Sequence, residues 1–271
     1  MQWPFPTAKS TLNISGRDVL ISLAIVIVWI VSSWGKYAVL AACMYEPALL
    51  VFPTNVLQGL FLRTPRYWDA LSLEPKLQVL LDNFQSIRKE TLEVKNQVDF
   101  ASVSIHQRRI AYGQPWKVFP LFVPGTINED NCKQMPITSS LLLQIPSVQL
   151  AMLSTMEGGA KIPSHCGFLK GVLRVHLCIH TDEEDTEMQR YIEVGGEKYS
   201  WKQGEFVAFD DTYPHTVVNN VKGRRIVLFL DIVRPTGYDI WDKMQLSLLK
   251  FFSSSSTIRA HAALQEKLVA L

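Results

Sequence analysis

Charge of one sign is not in excess in this chain of 271 residues: 27 basic and 25 acidic side chains leave a formal charge of +2. That excludes a domain-wide basic face for nucleic acid. Cysteine is scarce, and the four present (Cys43, Cys132, Cys166, Cys178) form neither a Cys-x-x-Cys pair nor zinc-finger spacing. A Cys166–Cys178 disulfide is open if neighbouring strands carry the two, but no spacing calls for it. Glycosylation sequons are reduced to one, at Asn13-Ile14-Ser15, which favours a cytosolic over a lumenal side for the long part of the chain that follows. Long hydrophobic runs are reduced to one as well, which excludes a polytopic membrane protein. With 48% hydrophobic and 19% charged residues, the chain is not disordered, collagen-like or a disulfide scaffold.

The one run is Val19 to Gly35, 17 residues without a charge, between Asp18 and Lys36. It is at the short end for a spanning helix, and a snorkelling Lys36 extends it toward Met44. Trp3 and Trp34 suit interfacial anchors. The expectation is a single-pass membrane anchor within an N-terminal segment 1–45. A buried soluble helix is the bland alternative, and Leu40-Ala41-Ala42-Cys43 has the look of a lipoprotein cleavage box. Pro47–Leu62 is apolar but broken by Pro53, Asn55 and Gln58, as in a helix lying on a membrane surface. Glu74–Gln97 reads as an amphipathic helix through Leu77, Leu80, Leu81, Phe84, Ile87 and Leu92, with Pro75 in its first turn. Residues 46–100 are expected to form a juxtamembrane helical region.

From about residue 101 the period becomes that of strands. Val103–Ile105, Trp116–Val123, Val148–Ser154, Gly171–Ile179, Arg190–Val194, Lys198–Trp201, Glu205–Phe209, His215–Asn219 and Arg225–Val233 succeed one another with turn residues between them. Gly195-Gly196 signals a hairpin. Many short strands predict a sandwich or barrel over 101–235. The tail 236–271 reads as two helices, Tyr238–Phe252 and Thr257–Leu271.

Three of the six histidines fall where this strand pattern could aim them into a barrel: His165, His176 and His215. Arg174 and His176 share a strand face, and Arg225 opens an apolar strand ten residues after His215. A lone strand histidine is ordinarily a hydrogen-bonded core or rim residue. A lone strand arginine ordinarily pairs with a carboxylate. Taken together, two neutral imidazoles suit a divalent first-row metal such as iron, and an arginine beyond them can grip a carboxylate with its fork. A 2-oxo acid that chelates the metal and is held at its far end fits that pattern.

Residues 112–235 resemble the aspartyl/asparaginyl β-hydroxylases, which include bacterial lipid A hydroxylases. The matching motifs are His165-Cys166-Gly167, Arg174-Val175-His176, Phe209-Asp210-Asp211 through His215, Arg225 ten residues on, Asp231 to Pro235, Ser154-Thr155-Met156 and Trp116. The resemblance implies a mainly β fold, a double-stranded β-helix or jelly-roll, here with an N-terminal transmembrane helix and flanking helices. It implies an Fe(II)- and 2-oxoglutarate-dependent dioxygenase consuming O2. His165 and His215 would hold iron. Arg174, His176 and Arg225 would hold 2-oxoglutarate, with Ser154 and Met156 lining that site. Gly167 stands where most such oxygenases place Asp or Glu, so the usual three-ligand triad would be two histidines. The expected substrate is a protein Asp/Asn side chain or a membrane-lipid acyl chain; the alternative is a jelly-roll binding module without turnover.

Overall fold

The computed structural model describes residues 64–97, 100–102, 116–123, 126–167, 169–182, 188–237 and 239–253, with Ile21, Ala24, Ile25, Asn55, Val56 and 58–60 ahead of them. Among the described residues no helix is long and apolar enough to cross a membrane. Most of Val19–Gly35, the strand expected at Val103–Ile105 and the second tail helix lie outside the described residues. So does most of Pro47–Leu62; its described residues Asn55, Val56 and 58–60 are helical.

Twelve strands are described: β1 Tyr67–Trp68, β2 Ala101–Ser102, β3 Trp116–Val123, β4 Thr126–Ile127, β5 Val148–Met156, β6 Ala160–His165, β7 Val172–Thr181, β8 Arg190–Val194, β9 Glu197–Ser200, β10 Phe206–Phe209, β11 His215–Asn219 and β12 Arg225–Val233. They form two antiparallel sheets. The larger runs β1-β10-β7-β12-β5-β3-β2, with β4 on β3; the smaller runs β6-β11-β8-β9. Strands β5 to β12 pair as nested arms: β5 with β12, β6 with β11, β7 with β10 and β8 with β9. This is the jelly-roll topology of a long hairpin rolled into a two-sheet barrel. Gly195 and Gly196 close the β8–β9 hairpin at φ 55° and 90°, the left-handed values that glycine adopts without strain.

Strand alternation gives the larger sheet two unlike faces. Leu173, Val175, Leu177, Ile179, Leu228, Leu230 and Ile232 point outward and are buried under helices. Those helices are α1 Ala70–Leu73, a 3-10 turn Pro75–Leu77, α2 Gln78–Asp82, α3 Phe84–Gln97, α4 Glu129–Gln134 and α5 Pro136–Leu142. The single helix expected over Glu74–Gln97 is therefore broken near Asn83, although Pro75 holds its first-turn place. These helices pack on the barrel, and Tyr67–Trp68 joins its sheet, so 64–97 shares the barrel's core. Helices α4 and α5 were not legible in the sequence. Glu90 of α3 caps α5 from the side, accepting from the Ile137 and Thr138 amides at 2.7 and 2.8 Å and from the Thr138 hydroxyl.

The inner face packs against the smaller sheet through Met152, Met156, Ile162, Ile192, Val194, Val217, Val227 and Phe229. Helix α6, Asp239–Ser253, closes the chain's described part. Its Gln245 donates to the Gly171 and Arg234 carbonyls, each at 2.7 Å.

Candidate active site

The inner face of the larger sheet is where polar residues interrupt the core. Register decides this. Along β12, Phe229 is flanked by His176 of β7 and Met152 of β5; Val227 by Cys178 and Ser154; Asp231 by Arg174; and Arg225 lies opposite Met156. Ser154, Met156, Arg174, His176 and Arg225 thus share one interior surface. Cys178, also there, is buried and free, and Cys166 is exposed and free, so the two do not pair.

The two remaining histidines come from the smaller sheet. His215 opens β11 and His165 ends β6, and antiparallel pairing sets them directly opposite. Their ring centroids are 4.0 Å apart. Nδ1 of His165 lies 2.8 Å from the Pro163 carbonyl and Nδ1 of His215 lies 2.9 Å from that of Tyr213. A carbonyl only accepts, so each Nδ1 carries the hydrogen and each Nε2 keeps its lone pair. Burial pushes the His215 imidazole down to about 3, helped by His165 and Arg174, and burial also lowers His165. Both rings are neutral at pH 7, the form that ligates metal.

Among the described residues no third His, Cys, Asp or Glu joins them in a metal-holding cluster. The backbone shows why none stands at 167. A Cβ on Gly167 would fall 2.1 Å from Oδ2 of Asp211. The space of a third ligand's side chain is filled by Asp211, whose main-chain carbonyl also accepts from the Gly167 amide at 2.7 Å. The pair of imidazoles fits a divalent cation that completes its sphere with other ligands.

Beyond the histidines lie buried polar atoms without hydrogen-bond partners among the described residues: both ring nitrogens of His176, Nε and Nη1 of Arg225 and Nε1 of Trp201. Burial pushes the Arg225 guanidinium down to about 10, with the Cys178 thiol opposing and Arg190 contributing. His176 is lowered well below its ordinary value by burial and by Arg225 and Arg174. Such groups cost free energy when left unpaired, and here most are donors or cations. Their chemistry fits an anion. Ser154 is buried beside them and accepts the Trp116 indole N–H at 2.9 Å.

Arg174 differs from Arg225. The expectation that it grips a cosubstrate carboxylate meets a guanidinium already shared between Asp231, at 2.9 and 3.1 Å, and Asp211, at 3.0 Å. Burial opposes its charge, but the two carboxylates overcome that and raise it. Burial pushes the Asp211 carboxyl up to about 6, against the pull of Arg174. His180, at the strand end, contacts Asp182 at 2.8 Å on the rim and takes no part.

Trp201 was not legible as a site residue. Its signal was a tryptophan ending a strand just after a hairpin, which core packing explains equally well.

A model of the aspartyl/asparaginyl β-hydroxylase family matches residues 81–235. The ornithine lipid ester-linked acyl 2-hydroxylase of Rhizobium tropici is 33% identical over 149 residues, 55% of this chain and 52% of that protein. The aspartyl/asparaginyl beta-hydroxylase of Homo sapiens is 27% identical over 158 residues, 56% of this chain and 20% of that protein. Aspartate beta-hydroxylase domain-containing protein 2 of Mus musculus is 24% identical over 213 residues, 74% of this chain and 58% of that protein. The chain thus spans about half the length, or less, of the first two relatives.

Proposed function

This chain belongs to the aspartyl/asparaginyl β-hydroxylase family, and from that premise we propose that it is a membrane-anchored, Fe(II)- and 2-oxoglutarate-dependent dioxygenase. The observation that carries the reading is the facing pair of neutral histidines with free Nε2 atoms, set beside a buried cationic fork that has no counter-ion among the described residues. His165 and His215 would hold the iron. Bound iron supplies the oxidative chemistry: O2, 2-oxoglutarate and a substrate C–H bond become succinate, CO2 and an alcohol.

The chain's own residues bind, orient and exclude water. Arg225 takes the far carboxylate of 2-oxoglutarate in its fork, while His176, Ser154 and Met156 line the space between. Arg174 serves a neighbouring purpose: it holds Asp211 over Gly167, where a third protein ligand would otherwise stand. The inner core of Met152, Phe209, Val227 and Phe229 keeps the pocket dry, which strengthens each charged contact in it.

For the substrate, the relatives supply two classes, a lipid acyl chain and an Asp or Asn side chain. The 33% identity to the Rhizobium protein and the apolar run Val19–Gly35 make a lipid acyl chain at a membrane surface the first to test. The lack of a glycosylation sequon after Asn13-Ile14-Ser15 favours the cytosolic side of that membrane for the catalytic part.

The experiment is an anaerobic titration of the full chain with Fe(II) and 2-oxoglutarate, followed by O2. A visible charge-transfer band and O2-dependent succinate are expected. Cosubstrate binding without succinate, whatever lipid or peptide is supplied, would leave a binding module in place of the enzyme. Mass spectrometry of cellular lipids and proteins, with and without the chain, then identifies the product as the species heavier by one oxygen atom.

A further inference from the structure

Arg225 is buried, and no carboxylate lies within ion-pair distance of it among the described residues. A second buried guanidinium, Arg190, is close enough to disfavour its charge. Removing a cation from water without a partner costs several kcal/mol. What lies against it is the face of Trp201, with the guanidinium carbon 4.3 Å from the ring centroid. The indole is itself fixed. It is 3% exposed, packs in the inner core, and stacks on His176 at 6.1 Å with the planes 21° apart. It comes after β9 at the start of the tight turn into β10, where the Glu205 amide donates to the Lys202 carbonyl at 3.0 Å.

We propose that Trp201 is a positioning residue for the carboxylate clamp: its indole face carries the Arg225 guanidinium in the place a counter-ion would take, keeping the fork charged, oriented and open. The inference rests on the proposed dioxygenase function. The choice of an aromatic comes from what the alternatives do. A carboxylate here would engage the fork, as Asp231 engages Arg174, and compete with any incoming anion. An aliphatic side chain would leave the charge uncompensated. A ring attracts a cation through its quadrupole and uses none of the guanidinium's N–H donors. The fork's edge therefore remains free for a bidentate carboxylate.

The test is isothermal titration of the full chain with Mn(II) present, which supports binding without turnover. Two ligands are compared: 2-oxoglutarate, and oxalate, which has the chelating end without the distant carboxylate. Trp201→Leu is expected to weaken 2-oxoglutarate tenfold or more and to leave oxalate within twofold. Trp201→Phe keeps a weaker face and is expected to weaken 2-oxoglutarate about threefold, again sparing oxalate; it serves alone if the leucine variant does not fold. Equal losses for both ligands would mean that Trp201 only supports the barrel, and 2-oxoglutarate affinity unchanged in both variants would remove it from the clamp. A parent chain that binds oxalate but not 2-oxoglutarate would overturn the proposed function itself, and the role of Trp201 with it.

Discussion

Two buried charge clusters within the same barrel are built on opposite principles. One joins Asp210, Arg234 and Lys170 beside the loop that leads on from His165. Arg234 donates to Oδ2 of Asp210 at 2.6 Å, and Lys170 approaches the same oxygen at 3.5 Å. The amide and hydroxyl of Thr212 occupy Oδ1 at 3.1 and 2.6 Å. Burial would raise this carboxyl, but the Arg234 and Lys170 cations overcome it and hold it low. The other cluster joins Arg225, His176 and Trp201, and most of its polar atoms have no partner. A satisfied buried network fixes a backbone; an unsatisfied one waits for something. The first cluster sets the loop geometry of the Phe209–His215 motif. The second has the donors that an anion would use.

The largest expected difference between them is in stability. Arg234→Met leaves Asp210 buried with its main counter-charge gone, which is expected to cost about 3–5 kcal/mol. Arg225→Met removes a buried cation that has no carboxylate partner among the described residues, so its unfolding free energy is expected to match or exceed the parent's. Urea denaturation of both variants measures this. Equal losses in the two would erase the distinction.

Metal affinity comes next. His165→Ala or His215→Ala leaves a single imidazole, and Fe(II) or Mn(II) binding is expected to weaken a hundredfold or more, about 2.7 kcal/mol. Lys170→Met, in the satisfied cluster, is expected to leave metal affinity near the parent's. Retained occupancy in either histidine variant would mean that these rings are not the ligands.

How much of this was legible in the sequence differs between the clusters. The strand pattern located β3, β5 and β7 to β12 within two residues, because alternation and Gly-rich turns are local signals. The jelly-roll pairing and the inner placement of Arg174, His176 and Arg225 came from the family motif. Helix α5 escaped because its cap is not local: Glu90, 47 residues upstream, holds its start; α4 has a local cap in Asn128, but its six residues are too short to show a helical period. The break near Asn83 escaped because hydrophobic spacing continues across it. In the site, spacing could suggest that Arg174 and Arg225 share a surface, but not that one is already neutralised. That depends on Asp231 arriving from β12 and Asp211 from the turn between β10 and β11. Trp201 was hidden for the same reason, since its partner Arg225 is on another strand.

Acid separates the clusters in another way. The unfolded chain takes up protons on its histidines below about pH 6.5, whereas folded His215 does so only near 3, and His165 and His176 are also lowered. The unfolded state then binds more protons, so stability falls as pH drops from about 6.5. Asp211 works in the opposite sense. Its folded value of about 6 lies above the ordinary 3.8, so the folded state protonates first and gains stability as pH falls through 6. Three imidazoles outweigh one carboxyl. The metal-free chain is expected to lose stability between pH 6.5 and 4.5, and Asp211→Asn to steepen that loss by up to one proton, about 1.4 kcal/mol per pH unit. The Asp210 carboxyl is held below its ordinary 3.8, so the stability it contributes is fully present above that value and is lost only as pH falls from there toward the lowered one; Asp210→Asn is therefore expected to lower stability without changing the slope above pH 4.5. Denaturation midpoints measured across pH check both.

The finest comparison is between neighbours where one strand begins. Arg225 points inward with its fork open. Arg224 precedes β12, and its amide and Nε donate to Oδ2 of Asp182 at 2.9 and 3.1 Å on the rim. Lysine keeps the charge of either but loses the planar fork. At Arg225 the lost contact is a charge-assisted bidentate one, so Arg225→Lys is expected to raise the 2-oxoglutarate KM about tenfold, equivalent to about 1.4 kcal/mol. Metal affinity is expected to stay the same, because Arg225 is not a ligand. At Arg224 the exposed pair with Asp182 is worth little in water, and Arg224→Lys is expected to leave KM, metal affinity and stability near the parent's. A large KM effect at Arg224 with none at Arg225 would place the cosubstrate outside the barrel, and the unsatisfied cluster would then need another occupant.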